Sequence, residues 1–183
     1  MTSGKQASLR VWDPLVRTLH WSLVLGFFSA WLTRHSPGSW HEALGYIVAG
    51  VVLIRVLWGW IGSRYARFSQ FIRPLRTTIG YAAKIPSGAQ PRYIGHNPLG
   101  GWMILVMIAS VFATCVSGWL YTTDRFWGVE WVEEVHSAFT NLCLGLIVLH
   151  VSGVVLSSRH GHENLVMAMF HGRKRPPSGS DVD

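Results

Sequence analysis

Two histidines stand near the start and at the end of an otherwise almost entirely apolar segment, EVHSAFTNLCLGLIVLH, residues 134–150. An imidazole can bind a metal, carry a proton or donate a hydrogen bond, so its presence among apolar residues calls for a chemical reason. His136 and His150 are 14 residues apart, which on a helix is roughly 21 Å along the axis and about 40° around it. One helix face can therefore present an imidazole at each of two levels.

The composition predicts that this segment lies in a membrane. Of the 183 residues, 49% are hydrophobic and only 14% are charged, which is too apolar for a soluble domain of this length. Four stretches approach the ~20 apolar residues that a bilayer requires, at 14–32, 41–61, 101–121 and 132–157. We therefore predict an all-α integral membrane protein, a four-helix bundle with a single domain over residues 1–175 and a short polar tail over 176–183.

The distribution of charge predicts how the spans face. The net charge is +7, and all but two of the lysines and arginines share one side if the N-terminus, the 62–100 loop and the C-terminus lie together there. Only Arg34 and Arg125 fall in the loops of the opposite side. The positive-inside rule then places both termini in the cytoplasm. Because topology accounts for the basic charge, we predict no nucleic-acid partner.

With this orientation, four histidines form two pairs at matched depth. His41 lies level with His136 near the outer side, and His20 lies level with His150 nearer the cytoplasm. A lone histidine is often structural, but polar groups within lipid are costly and usually mark a functional path. A zinc site would need three or four ligands at one depth. Two imidazoles per level instead fit axial ligation of a planar metal macrocycle, which predicts two bis-histidine haem b groups with these four residues as metal ligands.

Further residues could hold such cofactors. Gly45 lies one turn below His41 and could let a porphyrin approach, although small residues in membrane helices also serve helix packing. Arg17 and Arg55 could pair with haem propionates or extend to the lipid headgroups. Among the loop histidines, His96 in GHNPLGGW could line a quinone pocket or replace His20.

Four motifs then point to one family. They are RTLHW (17–21), HEALGY (41–46), SGWLY (117–121) and EVHSAFTNLCLGLIVLHVSG across the last span. Together they resemble the bacterial cytochrome b561 family, which includes the cytochrome b subunits of nickel–iron hydrogenases, over about residues 10–175. The resemblance implies a four-helix bundle of the bacterial inner membrane with two b haems bound by His20, His41, His136 and His150. Hydrogenase-type members tend to be longer by one span, so the likeness is to short, free-standing or cytochrome c-associated members.

These features predict an electron carrier of the respiratory chain between quinone (ubiquinone or ubiquinol) and a redox partner such as a c-type cytochrome. Full axial ligation leaves no open iron position for bond-making chemistry. One alternative, which some short family members resemble, is a superoxide oxidase that reduces quinone. The outer loops carry a net charge of −3, which is unfavourable for steering superoxide and favourable for a basic protein. A cofactor-free membrane anchor is the third interpretation.

Overall fold

The computed structural model describes residues 8–183, and the first seven residues of the predicted cytoplasmic N-terminus lie outside that range. Over these described residues, the regular structure is helical apart from one two-stranded sheet and an isolated bridge. In chain order the elements are β1 (Leu9–Arg10), α1 (Pro14–Leu32), α2 (Trp40–Ile61), a 3-10 turn (Arg64–Ala66), α3 (Phe68–Phe71), α4 (Leu75–Ala82), α5 (Pro98–Tyr121), α6 (Glu130–His160), α7 (Leu165–His171) and β2 (Arg173–Lys174).

The four long helices α1, α2, α5 and α6 are long and apolar enough to cross a membrane, which confirms the four predicted spans. The last helix is longer than its apolar stretch, because its 31 residues extend over about 46 Å against a hydrocarbon core of ~30 Å. Its excess length is polar. Glu130 and Glu133 lie in its first turn, and Arg159 and His160 lie in its last, as the helix dipole favours.

Side-chain caps fix where two of the spans begin. Asp13 accepts a hydrogen bond from the Val16 backbone N–H at 2.9 Å at the start of α1. The other carboxylate oxygen accepts from Trp58 Nε1 at 3.2 Å and from the Ser63 hydroxyl, which ties α1 to the end of α2. Asn97 caps α5 by accepting from the Gly100 N–H at 2.7 Å. This cap starts α5 three residues before the apolar stretch that predicted it.

The spans pack in sequence around the bundle and leave one side open. The backbones of α1 and α2, of α2 and α5, and of α5 and α6 pack closely against each other. Among the described residues, the α6 backbone makes at most isolated close approaches to α1 and α2. The bundle therefore has a gap between α6 and the α1–α2 pair.

One end of the bundle is closed by residues 8–13, 62–97 and 161–183, which we call the basal layer. β1 pairs antiparallel with β2, and the Tyr93 segment forms a parallel bridge with Val182. Gly172 has a left-handed conformation (φ 79°) that ends α7, and its carbonyl accepts from both the Val11 and Trp12 N–H groups. Helices α3 and α4 both lie in the 62–97 part of this layer. The basic segments that the charge argument put on one side thus meet at one end.

A buried ion network holds the basal layer together. Arg92 pairs with Glu163 at 3.0 Å and with Asp181, and Lys174 lies 3.8 Å from Glu163. The Lys174 ammonium also donates to the Ile94 carbonyl at 2.9 Å. Burial lowers the pKa of Lys174 to about 8. Long-range contacts of this kind fix the 91–97 segment and the last ten residues against the helices.

Candidate functional site

Two pairs of histidine rings face each other across the gap beside α6. The ring centres of His41 on α2 and His136 on α6 are 6.0 Å apart. Those of His20 on α1 and His150 on α6 are 6.4 Å apart. The structure therefore brings together the two pairs that depth matching predicted, whereas their role as metal ligands stays a prediction. With nitrogen–metal bonds of about 2 Å on each side of one metal, the two ring centres lie roughly 6 Å apart, so both spacings fit an iron between the rings.

Backbone carbonyls next to Nδ1 set the tautomer of the two outer histidines. His41 Nδ1 lies 2.8 Å from the Ala30 carbonyl oxygen, and His136 Nδ1 lies 3.0 Å from the Thr114 carbonyl oxygen. A carbonyl can only accept, so each Nδ1 carries the proton and each Nε2 keeps its lone pair. Hydrogen bonds of this kind orient metal-binding imidazoles and raise their basicity. The outer pair is thus arranged to bind a metal through Nε2.

The inner pair is less constrained by the protein. His20 has an edge contact with Trp21, at 5.2 Å between ring centres, and its plane is inclined by 53° to that of His150. Within residues 8–183, neither inner ring forms a hydrogen bond to another protein group. Both rings are half-buried. Their nitrogens are therefore free to bind a group placed between them.

Glycines leave room for a flat group beside the outer pair. A Cβ atom on Gly118 would lie 3.0 Å from His136 Cε1 and 3.2 Å from its Nδ1, so the ring rests directly on α5 at this residue. A Cβ on Gly45 would meet no atom within 4 Å. Open space next to His41 and the gap beside α6 together fit a planar macrocycle lying between helices.

Arg17 and Arg55, the two arginines that could pair with haem propionates, have different surroundings. Arg55 is buried, with 6% of its surface exposed, and forms only a long hydrogen bond of 3.4 Å to the Ala66 carbonyl. No carboxylate of residues 8–183 lies within salt-bridge distance of it. Arg17 instead donates to the Phe170 carbonyl on α7, while its buried Nε has no partner among residues 8–183. An unpaired buried charge is unfavourable, so Arg55 has the stronger requirement for an anion.

His96 lies in the basal layer beneath the inner pair. Its ring centre is 4.4 Å from that of Trp12 and 4.9 Å from that of Phe71. His20, and not His96, stands opposite His150. The rings around His96 belong to segments far from it in the chain, so no local sequence pattern indicates these contacts.

The opposite end of the bundle, near the outer pair, has an acidic surface. Five exposed carboxylates lie at this end, where α1 and α5 finish and α2 and α6 begin: Glu42, Asp124, Glu130, Glu133 and Glu134. The two basic residues there stack on neighbouring aromatic rings, Arg34 on Trp31 and Arg125 on Phe126. The surface above the outer histidines is therefore negative.

Comparison with known proteins gives two matches. Residues 11–172 match a family model described as prokaryotic cytochrome b561. A probable Ni/Fe-hydrogenase B-type cytochrome subunit of Azotobacter chroococcum mcd 1 is 25% identical over 220 residues, covering 92% of this chain and 89% of that protein. No solved structure matches. The matched region contains both histidine pairs.

Proposed function

The chain belongs to the prokaryotic cytochrome b561 family, as its motifs predicted, and from this membership we propose that it holds two haem b groups and relays electrons across the membrane. Family membership and the four apolar helices make it a multi-pass membrane protein of electron transfer. Haem b supplies the one-electron redox chemistry. The observation that carries the proposal is the presence of two facing histidine pairs, at two levels of α6, with ring centres 6.0 and 6.4 Å apart.

In this proposal each pair binds one haem through two imidazoles. His41 and His136 hold the outer group, and His20 and His150 hold the inner group. The levels are 14 residues apart on α6, or roughly 21 Å along its axis, so each haem serves one half of the membrane. A haem held by both imidazoles of a pair would have no open site for a substrate, which favours a carrier of electrons over an enzyme that makes bonds.

Three further residues support the cofactors. Arg55, buried and without an acidic partner, is proposed to pair with a propionate of the inner haem. Arg17 keeps one unpartnered buried nitrogen, Nε, for the same kind of contact. Gly45, where a Cβ would meet open space, is proposed to give the outer macrocycle room beside α2.

The basal layer is proposed to face the cytoplasm of a bacterial inner membrane. It contains most of the lysines and arginines, as the positive-inside rule requires of the cytoplasmic side. Residues 1–175 would then be one functional domain, followed by the tail over 176–183. The acidic outer end would face outwards, where its exposed carboxylates favour a basic c-type cytochrome as redox partner. Ubiquinone or ubiquinol, entering from the lipid, is proposed as the membrane-soluble partner.

Electron transfer between quinol and cytochrome tests the proposal directly. Protein purified in detergent and placed in liposomes is mixed with a ubiquinol analogue and oxidised c-type cytochrome, and the b- and c-type α-bands are followed by stopped flow. Both b haems are expected to be reduced by quinol and reoxidised by the cytochrome. In His136→Ala, the matched control, the cytochrome is expected to stay oxidised. Absence of a b-type band after dithionite would refute haem binding, and reduction by dithionite but not by quinol would refute the quinone partner.

A further inference from the structure

Arg55 is a buried cation next to the inner histidine pair. It lies 14 residues after His41 on α2, the same spacing that separates His150 from His136 on α6. Its guanidinium carbon is 5.8 Å from the centre of the Phe68 ring. Phe68 in turn packs on Phe71, the ring that contacts His96, with 5.7 and 4.9 Å between successive ring centres. The Asp13 carboxylate, at the start of α1, is already engaged by hydrogen bonds from Val16, Trp58 and Ser63. Because a buried positive charge is stable only with an anion or full hydrogen bonding, the site is incomplete as the protein chain alone forms it.

His96, in the basal layer below the inner histidine pair, also lacks a partner for a buried polar atom. Its Nδ1 is buried and has no hydrogen-bond partner within the described part of the chain. The ring is clamped between Trp12 and Phe71, so it cannot turn toward solvent without breaking both contacts. Burial, and then the positive charges of Lys174 and Arg55, lower the pKa of His96 well below its ordinary value. A neutral imidazole has one N–H group, and when the proton is on Nδ1 this group needs an acceptor from outside the described residues.

We propose that Arg55 and His96 together form a carboxylate site for one propionate of the inner haem, with Arg55 supplying the charge and His96 Nδ1–H a second hydrogen bond. This rests on the proposed function, because it requires a haem between His20 and His150. A propionate fits both groups at once, since it offers two acceptor oxygens and one negative charge. Hydrogen bonds to a buried carboxylate are among the stronger ones in proteins.

His96 is then a positioning residue that influences the haem through its propionate. A positive charge and a donated hydrogen bond both withdraw negative charge from the propionate, which favours the reduced haem. The 91–97 segment that carries His96 is fastened by Lys174, whose ammonium donates to the Ile94 carbonyl at 2.9 Å and to the Gly95 carbonyl at 3.3 Å. The basal layer is in this way connected to the potential of the inner haem.

Three substitutions of single histidines separate this role from simple packing. His96→Phe keeps an aromatic ring between Trp12 and Phe71 but removes the N–H group. His96→Asn retains an amide N–H near the position of Nδ1. His160→Phe is the matched control, because this histidine is exposed in the same end of the molecule and bonds only the Gln90 carbonyl.

The readout is a potentiometric titration of the b-type α-band, fitted as two one-electron steps, with haem counted by pyridine haemochrome. In His96→Phe both haems are expected to remain. The midpoint potential of one haem alone is expected to fall by about 30 mV, which is a roughly three-fold less favourable reduction at 59 mV per ten-fold change. His96→Asn is expected to restore at least half of this shift. Arg55→Gln is expected to lower the midpoint potential of the same haem further. His160→Phe is expected to change neither midpoint potential.

Several results would overturn the inference. Unchanged midpoint potentials in His96→Phe would mean that no haem contacts this ring. Equal shifts in His96→Phe and His96→Asn would mean that His96 contributes only packing. A shift of different components by His96→Phe and Arg55→Gln would also refute a shared site. If His96→Phe does not accumulate, His96→Gln makes the same test, because its amide lies where Nε2 was and should not restore the potential. A wild-type protein with one haem would instead refute the proposed function itself.

Discussion

Substituting Gly118 by alanine tests whether the His136 ring is a haem ligand. The new Cβ would lie 3.0 Å from Cε1 of the ring and 3.2 Å from Nδ1. Such contacts are tighter than carbon atoms normally accept, so the ring must retreat by a few tenths of an ångström. The hydrogen bond from Nδ1 to the Thr114 carbonyl, now 3.0 Å, would lengthen beyond the usual range of about 2.7–3.2 Å.

The loss of binding free energy for the outer haem can be estimated from the hydrogen bond and the close contact of the His136 ring. Losing the hydrogen bond costs about 0.5–1.5 kcal/mol, and holding the ring in place instead costs about 1–3 kcal/mol of overpacking. A value of about 1–2 kcal/mol corresponds to roughly 5–30-fold weaker binding of the outer haem. The inner haem, which we propose is bound by His20 and His150, is expected to be unaffected.

Haem release to a scavenger measures the effect. Purified Gly118→Ala is mixed with an excess of apomyoglobin, and the transfer of each haem is followed by its absorbance. One of the two phases is expected to be roughly 5–30-fold faster than in the wild type. Gly80→Ala in α4, where a Cβ would meet no atom within 4 Å, is the control and is expected to change nothing. Unaltered release from Gly118→Ala, or faster release of the inner haem, would show that this ring does not hold the outer haem.

Three further predictions concern the ligands, the outer surface and the first helix cap. Replacing His41 or His136 by alanine is expected to remove only the outer haem, and replacing His20 or His150 only the inner one, as counted by pyridine haemochrome; loss of the same haem from both pairs would contradict this. Electron transfer to a basic c-type cytochrome is expected to slow as salt rises, because exposed charges are screened over about 8 Å at physiological ionic strength. Exchanging Glu130, Glu133 and Glu134 for glutamine should weaken this dependence and make reaction with superoxide faster; stopped-flow rates indifferent to both changes would exclude docking at this surface. Asp13→Ala is expected to destabilise the protein in detergent by about 1–3 kcal/mol, with Asp124→Ala as an exposed control, and an unchanged melting temperature would refute the role of this cap.

The ionisation of Asp13 also predicts how the stability of the protein depends on pH. Burial acts to raise the pKa of Asp13, but the hydrogen bonds from Ser63, Val16 and Trp58 outweigh it, and the net shift is downward from 3.8. A lowered pKa in the folded state means that the contribution of Asp13 to stability is complete above the unfolded value and is lost as the pH falls through the folded one. Wild type and Asp13→Ala are therefore expected to converge in stability below pH 3.8.

The spans and the histidine pairs could be predicted from the sequence because both depend on position along a helix. An apolar stretch marks a span, and within a bilayer of fixed thickness the position of a residue in its span fixes its depth. His20 and His150 could therefore be matched although 130 residues separate them. Depth alone does not give the angle around the bundle axis, so the ring distances had to come from the structure.

The basal layer could not be predicted in the same way. Its contacts join residues far apart in the chain, such as Lys174 with Ile94 and Arg92 with Asp181. No local period or composition encodes these pairings. The surroundings of His96 and the isolation of Arg55 follow from such contacts, which is why the sequence left both residues with several possible roles.

Counting the haem groups of each chain shows whether both histidine pairs bind a haem. Quantitative pyridine haemochrome assay of the purified wild-type protein, with protein determined by amino-acid analysis, gives this ratio independently of any partner. The two facing histidine pairs predict two haem b groups per chain. A ratio of one haem per chain, or none, would show that the two pairs do not both bind haem.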